Sequence, residues 1–114
     1  MKKIFLLKLV ILITLISCKD NSYRKKEYII TNFKEVIRDT ITPIKGDSYG
    51  AKSISVSGFV DDSIYVKFNG SYKFYLKGKV DTIISADYYG ESKVGFEFNP
   101  YKAKKGELKV TFGI

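Results

Sequence analysis

Apolar residues fall on every second position through most of the latter half of this chain, and that periodicity constrains the fold more than any other feature. Ile54, Val56 and Val60 share one side of an extended segment, with Ser53, Ser55, Ser57 and Phe59 on the other. Ile64, Val66 and Phe68 repeat the pattern, as do Tyr72, Phe74 and Leu76, then Val94, Phe96 and Phe98, then Leu108, Val110, Phe112 and Ile114. Successive side chains of a strand point to opposite faces, so this alternation predicts half-buried antiparallel strands. Gly or Asp punctuates nearly every gap: Asp61-Asp62, Asn69-Gly70, Gly78, Gly90 and Gly106. The expectation is an all-β domain of about seven short strands, arranged as a small antiparallel β-sandwich of immunoglobulin-like architecture, with a small β-barrel as the alternative. The chain has no Trp and one Cys, so the immunoglobulin likeness is one of architecture only.

Parity also predicts register. A two-residue loop at Asn69-Gly70 would set Phe68 opposite Ser71, apolar against polar. A three-residue loop, Asn69-Gly70-Ser71, instead pairs Phe68 with Tyr72, Val66 with Phe74 and Ile64 with Leu76. A one-residue slip moves every side chain to the wrong face, so the odd loop is expected. The same arithmetic predicts a hairpin at Asp61-Asp62-Ser63, pairing Val60 with Ile64 and Val56 with Phe68 in a three-stranded meander. Residues 27–39 are ambiguous, because Ile29, Ile30, Phe33, Val36 and Ile37 also fit one helical face. Their β-branched content and the extended Thr40-Ile41-Thr42-Pro43 after them favour strand structure with a bulge. Residues 45–52, with Gly46 and Gly50, read as a mobile connection.

Ahead of this domain stands a segment of another kind. Met1-Lys2-Lys3 is a positive start, Ile4 to Ile16 an apolar body interrupted by Lys8, and Leu15-Ile16-Ser17-Cys18 ends it. Thirteen residues fall short of the roughly 20 needed to cross a bilayer as a helix. The last four resemble the lipobox of bacterial lipoproteins: Leu, then two positions on a small residue, then Cys. The resemblance implies a signal peptide over 1–17, cleavage before Cys18, and diacylglycerol on the Cys18 sulfur, usually with a third acyl chain. Two or three chains anchor firmly where one binds marginally. Residues 18–26 would be the acylated cysteine and a polar tether, and 27–114 the folded domain. Cys18-Lys19-Asp20 partly resembles the surface-export signal of Bacteroidota lipoproteins, with Asn21 in place of the second acid. The implied address is the outer membrane, lipid-anchored, on its periplasmic or its outer surface. Arg24-Lys25-Lys26 would add an attraction to anionic headgroups.

Removing residues 1–17 from 114 leaves 97, enough for one small domain. The full chain carries +8, and Lys2, Lys3 and Lys8 leave with the signal, so the remainder keeps a spread excess of +5. A nucleic-acid role is not expected for an exported chain whose charge is dispersed. With no His, and with its lone Cys assigned to lipidation, the chain lacks the usual parts of nucleophilic catalysis and of a zinc site. Carboxylates at Asp61, Asp62, Asp81, Asp87, Glu91, Glu97 and Glu107 show no spacing that selects a glycosidase pair. A calcium site of Asp61, Asp62 and Asp81 lacks any EF-hand spacing. The expectation is a non-enzymatic chain with no cofactor and no metal.

Binding residues are easier to nominate. By the odd-loop register, Tyr65 faces Tyr75 and Lys67 faces Lys73 on the side opposite the apolar one, with Lys77 and Lys79 close by. Tyrosines and lysines together suit an acidic protein surface or an anionic glycan; the bland reading is a solvated sheet face. Tyr88 and Tyr89, in the loop Asp87-Tyr88-Tyr89-Gly90-Glu91, form a second candidate, either as contacts or with one Tyr packed as a corner. The sequence therefore points to a lipid-anchored envelope module that binds an unknown protein or an envelope glycan. The alternative is an immunity or inhibitor lipoprotein that neutralises a toxin or cell-wall hydrolase, docking an acidic loop such as Asp61-Asp62 on a basic cleft.

Overall fold

The computed structural model describes residues 24–114; the expected signal peptide, Cys18 and most of the expected tether lie outside the described residues. Six strands follow in order: β1 Lys25–Ile30, β2 Ile37–Ile41, β3 Ala51–Phe68, β4 Phe74–Asp87, β5 Val94–Asn99 and β6 Gly106–Gly113. All belong to one antiparallel sheet. Folded structure starts earlier than the tether reading allowed, since Lys25 and Lys26 already pair with Gly113 and Phe112. Residues 27–39 hold two strands joined by a turn, and no helix.

The long strand β3 organises everything else. β4 lines one of its edges for nearly its whole length. Its other edge is shared end to end: β6 pairs with Ser53–Val60 and β5 with Tyr65–Phe68. β1 continues the sheet beyond β6, and β2 continues it beyond β5. A line of interruptions therefore crosses the sheet, at residues 31–36, 61–63 and 100–105, and divides it into two halves. The first half holds β1, β6, the start of β3 and the end of β4; the second holds β2, β5, the end of β3 and the start of β4.

Along that line the sheet folds over onto itself. Lys52 and Phe68 are sixteen positions apart in one strand, about 50 Å if straight, yet the Lys52 ammonium lies 4.8 Å from the Phe68 ring centre. Phe96 of β5 stacks on Phe112 of β6, centroids 4.8 Å apart and planes 7° from parallel. The outer edges, β1 and β2, meet through side chains instead of a ladder. The Lys26 ammonium donates to Asp39 Oδ1 (2.8 Å) and to the Thr40 carbonyl (3.0 Å), the Tyr28 hydroxyl donates to Asp39 Oδ2, and Arg24 donates to the Thr42 carbonyl (2.8 Å). The sheet is thereby nearly closed into a barrel, the second of the two architectures expected.

Two glycines make the fold-over possible. Gly58 sits at φ +132° and Gly106 at φ +147°; a Cβ on either would lie 2.0–2.1 Å from the carbonyl oxygen of Glu107 or Phe59 on the facing strand. Beside them the Asp61 carboxylate accepts the backbone N–H groups of Lys104 (2.9 Å) and Lys105 (3.1 Å), and the Ser63 carbonyl accepts those of Lys102 and Ala103. The break in β3 is thus stitched to the break between β5 and β6.

The expected hairpin at Asp61-Asp62-Ser63 is not formed. The chain runs on as a bulge, with residues 61–63 facing the single residue Lys77 between the pairs Val60–Gly78 and Ile64–Leu76. A three-residue hairpin and a continuous strand keep the same parity, so alternation cannot tell them apart. Reversal occurs instead at 69–71, where Gly70 takes φ +78° and Ser71 bonds back to Phe68 through both its amide and its hydroxyl. There the register Ile64–Leu76, Tyr65–Tyr75, Val66–Phe74 is the one that parity predicts. This merger leaves six strands rather than seven. Ile54, Val56, Val60, Ile64, Val66, Phe98, Leu108, Val110 and Phe112 are fully buried between the halves.

Candidate functional site

The outer face of the second half presents ordered rows. Cross-strand pairing aligns Asn99, Tyr65 and Tyr75 in one row, Arg38, Glu97 and Lys67 in the next, and Thr40 with Gly95 in the third. Because side chains alternate, these residues point outward while Val66, Phe96 and Phe98 point into the core.

Tyr65 and Tyr75 stand together as the register requires, ring centroids 5.7 Å apart, and Tyr101 completes a cluster at 6.0 Å from Tyr65 and 5.5 Å from Tyr75. All three contacts are edge-on, the geometry favoured by the ring quadrupoles. Tyr65 is buried beneath the others at 8% exposure, while Tyr75 and Tyr101 remain 54% and 51% exposed. Tyr101 takes φ +49°, the one non-glycine residue described with a positive φ. Its amide donates to Asn99 Oδ1 (2.8 Å), and Asn99 Nδ2 donates to the Tyr65 hydroxyl (2.8 Å). In the next row Arg38 Nε donates to Glu97 Oε1 at 2.7 Å. Burial would raise the Glu97 carboxyl, but the Arg38 bond and the polar influence of the Tyr65 hydroxyl, together with the charges of Arg38 and Lys67, hold it below its usual range.

Cations surround the rings. Lys73 Nζ lies 5.0 Å from the Tyr65 ring centre and Lys102 Nζ 5.4 Å from that of Tyr101. Glu97 stands directly opposite Lys67 on β5, where its charge offsets part of the like-charge conflict with Lys73 that the sequence implied. No described carboxylate forms an ion pair with Lys67, Lys73 or Lys102. Next to the rings, Arg38, Asp39, Thr40, Lys67, Asn69, Gly95, Phe96 and Glu97 line an open groove of about 390 Å³. Gly95 keeps its floor low, since a Cβ there would lie 2.8 Å from Asn69 Cβ.

Four of the six residues nominated from sequence, Tyr65, Lys67, Lys73 and Tyr75, thus come together on one face. Tyr88 and Tyr89 are not part of it. Tyr88 is buried against Tyr49, its hydroxyl bonded to the Ser92 carbonyl, so it is the packed corner; Tyr89 stands exposed. Tyr101 escapes a register argument, because the 100–105 segment is not strand and only its fold-back brings Tyr101 over the sheet, and Asn99 required knowing that β5 lies beside β3. Arg38 required knowing that β2 lies beside β5. The Asp61-Asp62 pair is not a free acidic knob: Asp61 is engaged as described, while Asp62 accepts from the Ser63 amide (2.7 Å) and lies 4.0 Å from Lys77 Nζ. Hydrogen bonds from the Lys104 and Lys105 amides hold the Asp61 carboxyl below its usual range. Asp61, Asp62 and Asp81 form no ligand group among the described residues.

No family model matches the chain, and no curated protein matches it. Among solved structures, one titled "Crystal structure of PirA" is similar over 85% of this chain and 99% of that chain, at TM-score 0.49 and 6% identity. A likeness at that level carries no argument about family or function.

Proposed function

We propose that the chain is a lipid-anchored, non-catalytic binding module of a bacterial envelope, and that it holds an anionic ligand on the outer face of its second half. One observation carries the ligand reading: three tyrosine rings packed edge-on, with Asn99 tying the Tyr101 amide to the Tyr65 hydroxyl, edged by Lys73 and Lys102, which form no ion pair with a described carboxylate. A face that merely solvates the sheet needs neither the Asn99 link to a buried tyrosine nor Tyr101 in a backbone region that L-residues rarely adopt. The lipobox residues ending at Cys18 support the anchor. The folded-over sheet we read as a small, partly open barrel rather than an immunoglobulin-like sandwich. The immunity reading is less favoured, because Asp61 of its suggested acidic loop is already engaged by the Lys104 and Lys105 amides.

The address is tested by labelling growing cells with a radioactive fatty acid. Label should enter the protein and vanish in Cys18→Ala; equal label in the variant overturns the anchor. The ligand reading is tested by binding of the purified chain, in neutral detergent, to envelope fractions at rising salt. Binding should weaken with salt and drop about tenfold in Lys67→Gln/Lys73→Gln. Retention unaffected by salt and by that variant would place the contact elsewhere.

A further inference from the structure

Resting on the anionic-ligand reading, we infer that the ligand is an acidic polysaccharide, bound across the strands from the tyrosine cluster into the Arg38–Lys67 groove.

The composition of the face separates the ligand classes. The core of a protein interface is apolar and depleted in lysine. Here the outward rows contain no aliphatic side chain and carry Lys67, Lys73 and Lys102 beside Arg38. The acids of the region, Glu97 and the seam residue Asp39, are both already paired with cations, so the face offers unneutralised positive charge. A sugar acid presents three kinds of surface, and each has a counterpart here. Its C–H face can rest on the exposed sides of Tyr75 and Tyr101. Its hydroxyls can bond to the phenols of those residues and to Thr40 and Asn69 around the groove. Its carboxylates can reach Lys73 and Lys102 at the rings and Lys67 in the groove.

Single-stranded nucleic acid uses aromatics and cations too, but it stacks successive bases flat on successive rings. In this cluster each ring is tilted about 61–62° from its neighbours, so no two rings offer parallel platforms. A puckered sugar needs only one ring at a time. Adjacent rows lie about 6.7 Å apart along a strand, and Glu97 and Lys67 line the groove while directly neighbouring the tyrosine row. The cluster and the groove therefore form one continuous track, which suits a linear polymer better than a single small ion.

The test measures binding of the full chain in neutral detergent to four probes: a polyuronate oligosaccharide, its methyl ester, polyglutamate and oligo-dT. Tyr101→Gly is the informative variant, because glycine accepts φ +49° without strain and the change removes only the ring. The polyuronate should bind most tightly, lose at least tenfold on esterification, and lose about tenfold in Tyr101→Gly with thermal unfolding unchanged or raised. Polyglutamate bound as tightly as the polyuronate, or polyuronate binding indifferent to Tyr101→Gly, overturns the polysaccharide assignment and leaves the anionic-ligand reading standing. Preference for oligo-dT overturns it in favour of nucleic acid. Failure of every anionic probe overturns both.

Discussion

β3 has two outer faces, one before its bulge and one after, and they differ in almost every respect. Before the bulge it shows Ser53, Ser55, Ser57 and the exposed Phe59, flanked by Thr111, Lys109 and Glu107 on β6 and by Ser85, Ile83, Asp81 and Lys79 on β4. After it come Tyr65 and Lys67, flanked by Asn99, Glu97 and Tyr75. One antiparallel-paired strand thus carries mainly small hydroxyls before the bulge, with Phe59 standing alone at its end, and Tyr65 and Lys67 within a cluster after it. Secondary structure cannot explain the contrast, since both sets suit a solvated strand face. In the first half Ile83 lies 70% exposed; in the second, the exposed Tyr75 and Tyr101 rings pack edge-on against each other and buried Tyr65, and the Tyr101 amide is tied through Asn99 to the Tyr65 hydroxyl. Bracing of this kind marks the second face as the one with geometry to preserve.

The largest expected effect tests whether the halves are separate at all. Phe112→Ala removes a first-half side chain that stacks on second-half Phe96, and should cost about 3–5 kcal/mol in one cooperative denaturant transition. Two resolved transitions would show that the halves unfold independently. Next comes the fold line. Gly58→Ala drives a Cβ into the Glu107 carbonyl and should cost about 1–3 kcal/mol, whereas Gly78→Ala, at φ +72° with open space around it, should cost only about 1 kcal/mol. Equal losses would mean the close approach at the bend is not limiting.

Acid should act first on the β1–β2 seam and on β5. Burial opposes the Asp39 charge, but bonds from Lys26, Tyr28 and the Thr40 amide outweigh it and hold the carboxyl low; Glu97 is held low as described. The partner Tyr28 hydroxyl is pushed up to about 12, by burial first and then by Asp39. A carboxyl lowered by folding stabilises the protein above its unfolded value, and that contribution disappears as pH falls through the folded value. Amide protection, corrected for the intrinsic pH dependence of exchange, should therefore fall along the β1–β2 seam and in β5 before β6 as the solution is acidified. Asp39→Asn should cost about 1 kcal/mol at neutral pH and flatten the acid dependence. Uniform loss of protection would remove Asp39 and Glu97 as the cause. Smallest of all, Ser55→Ala should stay within about 0.5 kcal/mol and leave ligand binding unchanged; a binding defect there would mean the hydroxyl face is not inert.

Much of this molecule can be read from its sequence, and the part that cannot has a definite cause. Alternation assigns each residue to a face, so the buried set, the Tyr65–Tyr75 pair and the turn at Gly70 follow from it. It cannot report whether a chain that keeps its parity reverses or merely bulges, which is why residues 61–63 look like a hairpin. The difference rests on Asp61 capturing two amides more than forty positions away, a contact with no local signature. The site divides the same way. Its strand residues are legible through register, whereas Tyr101 and Arg38 depend on which distant segments the fold-over brings alongside.

The edge where the described chain begins has a mechanical consequence. Arg24 exchanges backbone hydrogen bonds with Ile114, and β1 then runs antiparallel beside β6 through six consecutive pairs. A pull entering at Arg24 in line with β1 loads all six pairs together in shear, with β6 held in turn by β3. A tug at right angles would peel them apart one after another. β1 is thus placed to bear tension along its length, as the proposed domain, anchored at one end and gripping a polymer with its far face, would require.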